Sequence, residues 1–306
     1  MKVYIHPVLN EAEKDYFLTH VSNTLELTFN DGSHQFELCK DADIAIGNFN
    51  TDWIENMGNL RTILLDSVGI DNFNGYQWKE SNLVSVHNLN DFFSTPVAEE
   101  VVASLLSVYR QLPSLKQAQQ QSEWVKDSVR PTKRLLAEAK VLLVGYGNIG
   151  KRIEQLLIPF GCQIATFDQA EMQQGGKQRL IETVAEHDVI ISTIPANAAT
   201  ESIFDQALFV AMRPDATFIN VGRGQVVDEV ALGEKAAADT TFNACLDVTI
   251  QEPLNPASIL WQLNNVHLTQ HTGGGSTNEN YKKIDIYISQ INRLLSGQAL
   301  INKIQF

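Results

Sequence analysis

Three residues in the C-terminal half have side chains suited to reducing a carbonyl: Arg223, Glu252 and His271. A 2-keto acid presents a carboxylate beside a ketone. To reduce it, a protein must hold the carboxylate, polarise the carbonyl and deliver a proton to its oxygen as hydride reaches the carbon. An arginine fork reads a carboxylate at two points. Arg223 stands in Ile219-Asn220-Val221-Gly222-Arg223-Gly224, just past an apolar run that reads as a strand. An imidazole can serve as the acid, and a carboxylate beside it favours its protonated form and fixes the ring. His271 follows the run Val266–Thr269, and Glu252 follows Leu246-Asp247-Val248. Both lie past the carboxyl end of a strand, where open α/β sheets bind ligands. The other histidines lack this setting and read as structural.

The hydride needs a carrier, and the sequence offers a place for one. Val141–Val144 reads as a buried strand that runs into Gly145-Tyr146-Gly147-Asn148-Ile149-Gly150, after which Lys151–Leu157 has a helical pattern. Gly145 suits the tight turn, Gly147 lets backbone approach a pyrophosphate, and Gly150 lets helix and strand pack closely. Phosphates would sit at the helix N-terminus, where N–H groups and the dipole favour anions. A second strand, Cys162–Phe167, ends at Asp168. That is close to the spacing of about 20 residues at which a carboxylate takes the ribose hydroxyls. Such a carboxylate repels a 2′-phosphate, so NAD (as NADH) is expected over NADP.

These residues need a scaffold. Strands are expected near Val3–His6, Asp43–Gly47, Thr62–Asp66 and Leu83–His87, with a helix near Asn10–His20. A second series follows near Lys140–Gly145, Gln163–Phe167, Asp188–Thr193, Ala216–Val221, Thr241–Asp247 and Val266–Thr269. Alternation with helical patterns predicts parallel α/β sheets. A long helix is expected from Pro96 to about Leu112, with Thr95 as N-cap, and a last one over Ser276–Leu295. Val97, Val101, Leu105 and Val108, flanked by Val102, Leu106 and Tyr109, make a stripe wide enough for more than one neighbour. The glutamine-rich stretch Lys116–Arg130 reads either as an arm that docks on a partner subunit or as a surface helix anchored by Trp124. There is no short repeat, low-complexity tract or long linker.

Composition narrows the function classes. A chain of 306 residues suggests two domains. A net charge of −13 without a basic cluster argues against nucleic acid and anionic membranes. No apolar run is long enough to span a bilayer. The N-terminal Met1–Pro7 reads as a first strand, too short and mixed for a signal peptide. Cys39, Cys162 and Cys245 are far apart, lack metal spacing and read as buried reduced thiols. No metal is expected, and a cytoplasmic location fits.

Taken together, these motifs resemble the D-isomer-specific 2-hydroxyacid dehydrogenases over nearly the whole chain. The glycine loop with Asp168 is similar to that family's cofactor fingerprint, and Pro195 to Thr200 to its proline-to-threonine loop. Asn220–Gly224, with Val227-Asp228 and Ala231-Leu232 after it, resembles its arginine signature. Leu246-Asp247-Val248, then Glu252-Pro253-Leu254 and Trp261, resembles its glutamate signature, and His271 stands at its histidine. Ser67-Val68-Gly69-Ile70-Asp71 resembles the loop whose N–H groups hold the substrate carboxylate.

The resemblance implies two Rossmann-like or flavodoxin-like doubly wound domains, the cofactor domain inserted in the substrate domain. The substrate domain would be 1–95 completed by 276–306, and the NAD-binding domain 96–275. It implies Arg223, Glu252 and His271 as catalytic residues, with Val68, Gly69, Arg223 and His271 on substrate. Gly145, Gly147, Asn148, Ile149, Gly150, Asp168, Pro195, Thr200, Val221, Gly222 and Asp247 would hold the cofactor, Asp247 by seating the nicotinamide carboxamide. It further implies D stereochemistry, a homodimer built on the cofactor domain and a cleft closed by hinge motion. Three departures stand out. Asn148 stands where arginine is common, Gln270 where proline is common, and Gly273–Gly275 where small apolar residues are common. Glu252 argues against formate dehydrogenase chemistry, which goes with glutamine there. Phosphoglycerate dehydrogenase-type activity and a catalytically weak NAD(H)-sensing binding protein are the alternatives. Serine control through an appended domain is not expected, since the sequence ends at Phe306.

Overall fold

A computed structural model describes residues 1–33, 35–70, 73, 76–78 and 84–305. In chain order its elements are β1 (Lys2–Ile5), α1 (Glu11–His20), β2 (Glu26–Phe29), β3 (Ile44–Ile46), β4 (Thr62–Leu64), β5 (Ser85–His87), α2 (Ser94–Tyr109), α3 (Leu112–Gln120) and α4 (Lys126–Val129). Then come β6 (Lys140–Val144), α5 (Asn148–Leu157), β7 (Gln163–Phe167), α6 (Gln169–Val184), β8 (Val189–Ser192) and α7 (Gln206–Ala211). The last are β9 (Thr217–Asn220), α8 (Glu229–Ala238), β10 (Asn243–Leu246), β11 (Val266–Leu268) and α9 (Glu279–Leu295). Leu83 and Asp71, both named above, lie outside the described residues.

The chain divides into two compact units, Met1–Phe93 with Ser276–Phe306, and Ser94–Gly275. The first holds a parallel five-stranded sheet in the order β2-β1-β3-β4-β5. Side chains alternate across it. Val3, Ile5, Ile44, Ile46 and Leu64 pack with Phe17 of α1 and Ile284, Tyr287, Ile288 and Ile291 of α9. Tyr4, Ala45, Ile63 and Val86 line the opposite core. Asn10 caps α1 in a reciprocal box with Glu13. The edge strand β2 is not apparent from the sequence pattern, because Glu26-Leu27-Thr28-Phe29 is short and only half-buried.

The second unit holds a parallel six-stranded sheet in the order β11-β10-β9-β8-β6-β7. Counted within each sheet, both units share the order 2-1-3-4-5, and the second adds a sixth strand. Both are doubly wound parallel α/β sheets, as expected. Leu142, Val144, Ile190, Phe218, Ala244 and Leu246 form one core with Leu180, Val184, Phe209 and Leu232 from α6, α7 and α8. On the other face, α2 packs against α5 and β10. The stripe of α2 is largely buried within this unit, Val101 and Leu105 fully so.

Three readings of this region need correction. Ser94 is already helical, so Thr95 lies inside the first turn and cannot cap it. Pro96 remains acceptable there because first-turn N–H groups have no helical acceptor. The helix also stops at Tyr109, where Gln111 turns left-handed (φ 57°), and α3 begins afresh. Trp124 is 92% exposed, so it anchors nothing in its own chain. Burial pushes the Cys39 thiol to about 11 and Cys245 to about 12, and also raises Cys162. All three are free.

Candidate active site

In the second unit the strand order reverses between β6 and β8, which opens a crevice at their carboxyl ends. The glycine loop leaves β6 there. Gly145 has φ 98°, and a Cβ on it would come within 2.7 Å of Thr193 Oγ1. A Cβ on Gly150 would sit 2.5 Å from the Gly145 carbonyl. Gly147, by contrast, faces open space, and as N-cap of α5 it supplies no side-chain acceptor. Asn148 and Ile149 form the first turn of α5. This is a cradle that a dinucleotide pyrophosphate fits: backbone turned by two required glycines, a bare approach at the third, and a helix start behind it. Thr193, which the sequence did not single out, ties the loop down by donating to the Gly145 carbonyl at 3.1 Å. Only its place at the end of β8 could have signalled it.

Asp168 follows β7 and caps α6. Its Oδ1 accepts from Ala170 and Glu171 N–H, while Glu171 folds back to accept from Asp168 N–H at 2.8 Å. Two carboxylates therefore stand together here, Asp168 exposed and Glu171 half-buried. Thr200 closes the loop after β8 by donating to the Pro195 carbonyl at 2.7 Å and accepting from Asn197 N–H.

Arg223 follows β9 through Val221 and Gly222. Buried Asn220 shapes this turn, accepting from Gly222 N–H at 3.2 Å and donating to the Arg223 carbonyl at 2.9 Å. The guanidinium donates to the Gly222 carbonyl at 2.8 Å. Both flanking glycines are required by packing. A Cβ on Gly222 would overlap the Ile194 carbonyl, and one on Gly224 would overlap the Thr249 backbone.

Thr249 links this turn to the next group. Its N–H donates to Glu252 Oε1 at 3.0 Å, and Glu252 Oε2 lies 2.7 Å from His271 Nδ1. The pair is partly open to solvent, with side-chain exposures of 38% and 52%. Nδ1 is thus committed to the carboxylate, and Nε2 is the nitrogen left to exchange a proton with a ligand. A cavity of about 430 Å³ lies against the pair, walled by Leu246, Leu254, Trp261 and Leu268, with Gln270 at its edge.

His271 sits in an unusual turn. Gln270 and His271 both have positive φ, 56° and 57°. A proline, with φ held near about −65°, could not occupy position 270 in this conformation. Asp247, 6% exposed at the end of β10, accepts through Oδ1 from the Thr269 hydroxyl at 2.7 Å, Thr272 N–H at 3.0 Å and Gly273 N–H at 3.1 Å. Gly273 relieves crowding, since a Cβ there would stand 2.8 Å from Asp247 Oδ2.

Val68 and Gly69 belong to the first unit, in the loop after β4. Asn88 Nδ2 donates to the Val68 carbonyl at 2.8 Å, Ser67 Oγ to the Gly69 carbonyl at 2.7 Å, and Leu89 N–H to the Ser67 carbonyl at 3.0 Å. The carbonyls are tied down, so the loop presents N–H groups. Among the described residues no helix is long and apolar enough to cross a membrane, and no cluster of His, Cys, Asp and Glu could hold a metal ion.

The family profile of the D-isomer specific 2-hydroxyacid dehydrogenase NAD binding domain matches residues 102–273. A glyoxylate/hydroxypyruvate reductase B from Klebsiella pneumoniae is 28% identical over 300 residues, covering 95% of this chain and 93% of that one. Glyoxylate/hydroxypyruvate reductase A of Arabidopsis thaliana is 24% identical, covering 96% and 94%. The crystal structure of a D-isomer specific 2-hydroxyacid dehydrogenase family protein from Aeromonas salmonicida superposes with a TM-score of 0.85 at 23% identity, covering 99% and 98%. The glycine cradle, the arginine turn and the histidine–glutamate pair all fall within or beside strands that this profile spans, and the chain belongs to the D-isomer specific 2-hydroxyacid dehydrogenases.

Proposed function

We propose that the protein reduces a small 2-keto acid to the D-2-hydroxy acid with NADH, and runs the reverse reaction. The observation that carries this reading is the 2.7 Å contact between His271 Nδ1 and Glu252 Oε2, at the same sheet end as Arg223 and the glycine cradle. NAD, when bound, supplies or takes the hydride. The protein's own groups do the rest. Arg223 holds the keto acid by its carboxylate and polarises the carbonyl. Protonated His271 donates from Nε2 to the carbonyl oxygen as it gains charge. Glu252 keeps the remaining Nδ1–H in place and so aims Nε2 at the ligand. In the reverse direction neutral His271 accepts the hydroxyl proton at Nε2.

Gly145, Gly147, Asn148, Ile149 and Gly150 hold the pyrophosphate, with Pro195, Thr200, Val221 and Gly222 lining the cofactor's path and Asp168 on the ribose. Two adjacent carboxylates, Asp168 and Glu171, favour NAD over NADP. The unit of 94–275 is the cofactor domain, and the other is the substrate domain. The working form is a homodimer in the cytoplasm.

The deciding experiment follows NADH absorbance with a panel including glyoxylate, hydroxypyruvate and phenylpyruvate. Turnover with at least one, abolished by His271→Ala, is expected. No turnover with any of them, alongside tight NADH binding, points instead to a nucleotide-sensing protein.

A further inference from the structure

Asp247 is assigned by family resemblance to the cofactor, but its carboxylate is engaged elsewhere. One oxygen, Oδ1, accepts three hydrogen bonds, all from Thr269, Thr272 and Gly273. These bracket Gln270 and His271, the consecutive residues with φ 56° and 57°. L-residues enter this region as isolated exceptions, so two in succession persist only where neighbours over-determine them. The Asp247 carboxylate supplies that constraint from within the fold, being 6% exposed. Gly273 crowds it on one side, where a Cβ would lie 2.8 Å from Oδ2 and 3.4 Å from Glu100 Cγ, and on another side Asp247 lines the cavity shared with Glu252 and His271. Burial, and then the charge of Asp247, raise the Glu100 carboxyl above its ordinary value, as expected of two neighbouring acids.

We propose that Asp247 is a positioning residue that acts through His271: its carboxylate holds the Gln270–His271 turn in the conformation that delivers the imidazole to Glu252. The inference rests on the reading of His271 as the acid/base. Without the carboxylate, two backbone N–H groups and a hydroxyl lose their acceptor, and the two left-handed residues keep only the bonds that end on the Asp247 and Thr269 backbone carbonyls. As φ of His271 relaxes, its Cβ swings and Nδ1 leaves Glu252. The bond from His271 N–H to the Asp247 backbone carbonyl, at 2.5 Å, survives any side-chain change, so substitutions at 247 isolate the carboxylate.

The test compares Asp247→Ala, Asp247→Asn and Thr269→Val. Three quantities are read: kcat, the NADH dissociation constant by fluorescence, and the His271 ring nitrogens by long-range ¹H–¹⁵N NMR. Asp247→Ala is expected to lower kcat on the order of 10²-fold, the low end of what a general acid supplies. NADH affinity should stay within threefold, and the Nδ1 signal should lose its hydrogen-bonded signature. Asn retains an acceptor oxygen, so Asp247→Asn should recover at least tenfold of that loss along with the signature. Thr269→Val, which removes one of the three bonds, should fall between. The proposal is overturned if both Asp247 variants weaken NADH binding tenfold with the His271 signature intact, because the carboxylate then serves the cofactor. It is equally overturned if Asp247→Ala stays within twofold of wild type. Should the wild type reduce no 2-keto acid, the functional reading fails. The NMR signature and its loss in Asp247→Ala still decide the positioning claim.

Discussion

Asp168 holds two tasks in one side chain. It carries the charge expected to exclude a 2′-phosphate, and it caps α6 in a reciprocal box with Glu171. Alanine would remove both, at a cap cost of about 1 kcal/mol. Serine separates them, because it can still cap. Asp168→Ser is expected to keep the melting temperature near wild type and raise kcat/KM with NADPH relative to NADH, with Glu171 limiting the gain. An unchanged cofactor ratio would mean that Asp168 does not discriminate. At this scale the sequence singled out a pair that the structure brings together, Glu252 and His271 at 2.7 Å. Both, like Arg223, stand just past strands. Thr193, Thr249 and Thr269 were not legible. Their roles come from one hydroxyl or one N–H meeting its partner, 48 residues away for Thr193, 22 for Thr269 and three for Thr249, and threonine near a strand end is ordinary β composition.

At the scale of elements, the turn after β9 and the loop after β10 are locked together through Gly224. Its Cα abuts the Thr249 backbone, and the Thr249 N–H holds Glu252. Gly224→Ala should therefore push Thr249 away and lower kcat at least tenfold while NADH affinity stays near normal; normal kcat would show the loop to be free. The edge strand β11 carries a different sensitivity. Burial lowers the pKa of His267, and in the first unit burial is also the main cause lowering His87. Below about pH 6.5 the unfolded chain binds protons that the folded one resists. Stability therefore falls as pH drops through that value toward the lowered folded pKa. The melting temperature should decline between pH 7.5 and about 5.5, and His267→Gln should flatten part of the decline. An identical slope in the variant would remove His267 from the account. The strands of both sheets could be read from their apolar runs, because a parallel sheet buried on both faces writes itself as such runs. The edge strand β2 and the break at Gln111 could not. One is too short and half-exposed to show a pattern, and the other rests on a single backbone angle.

For the whole molecule, the proposed homodimer needs a surface on which two copies could meet. The α2 stripe is satisfied inside its own unit, which leaves Leu112, Trp124 and Leu135 as large apolar side chains in the open, at 51%, 92% and 51% exposure. A tryptophan that bare is expected to be covered by a second copy. Light scattering should give about twice the 34.1 kDa chain mass, and Trp124→Ser should shift the protein toward monomer. A wild-type monomer with full activity at micromolar concentration would dismiss the dimer. The division of the chain also sets a timetable for its synthesis. Residues 94–275 form a continuous unit, whereas the unit containing the first strands also needs α9. Ile284, Tyr287, Ile288 and Ile291 each contribute about 1.5–3 kcal/mol of burial to it. A ribosome therefore releases the beginning of the protein before its last structural partner exists. Until then Val3, Ile5, Ile44 and Ile46 are covered only in part, by Leu9 and Phe17, and present aggregation-prone surface that a chaperone would recognise. A chain halted after Gly275 should resist protease over 94–275 and be cut freely over 1–93. Equal resistance in both stretches would show that the early strands complete their core unaided.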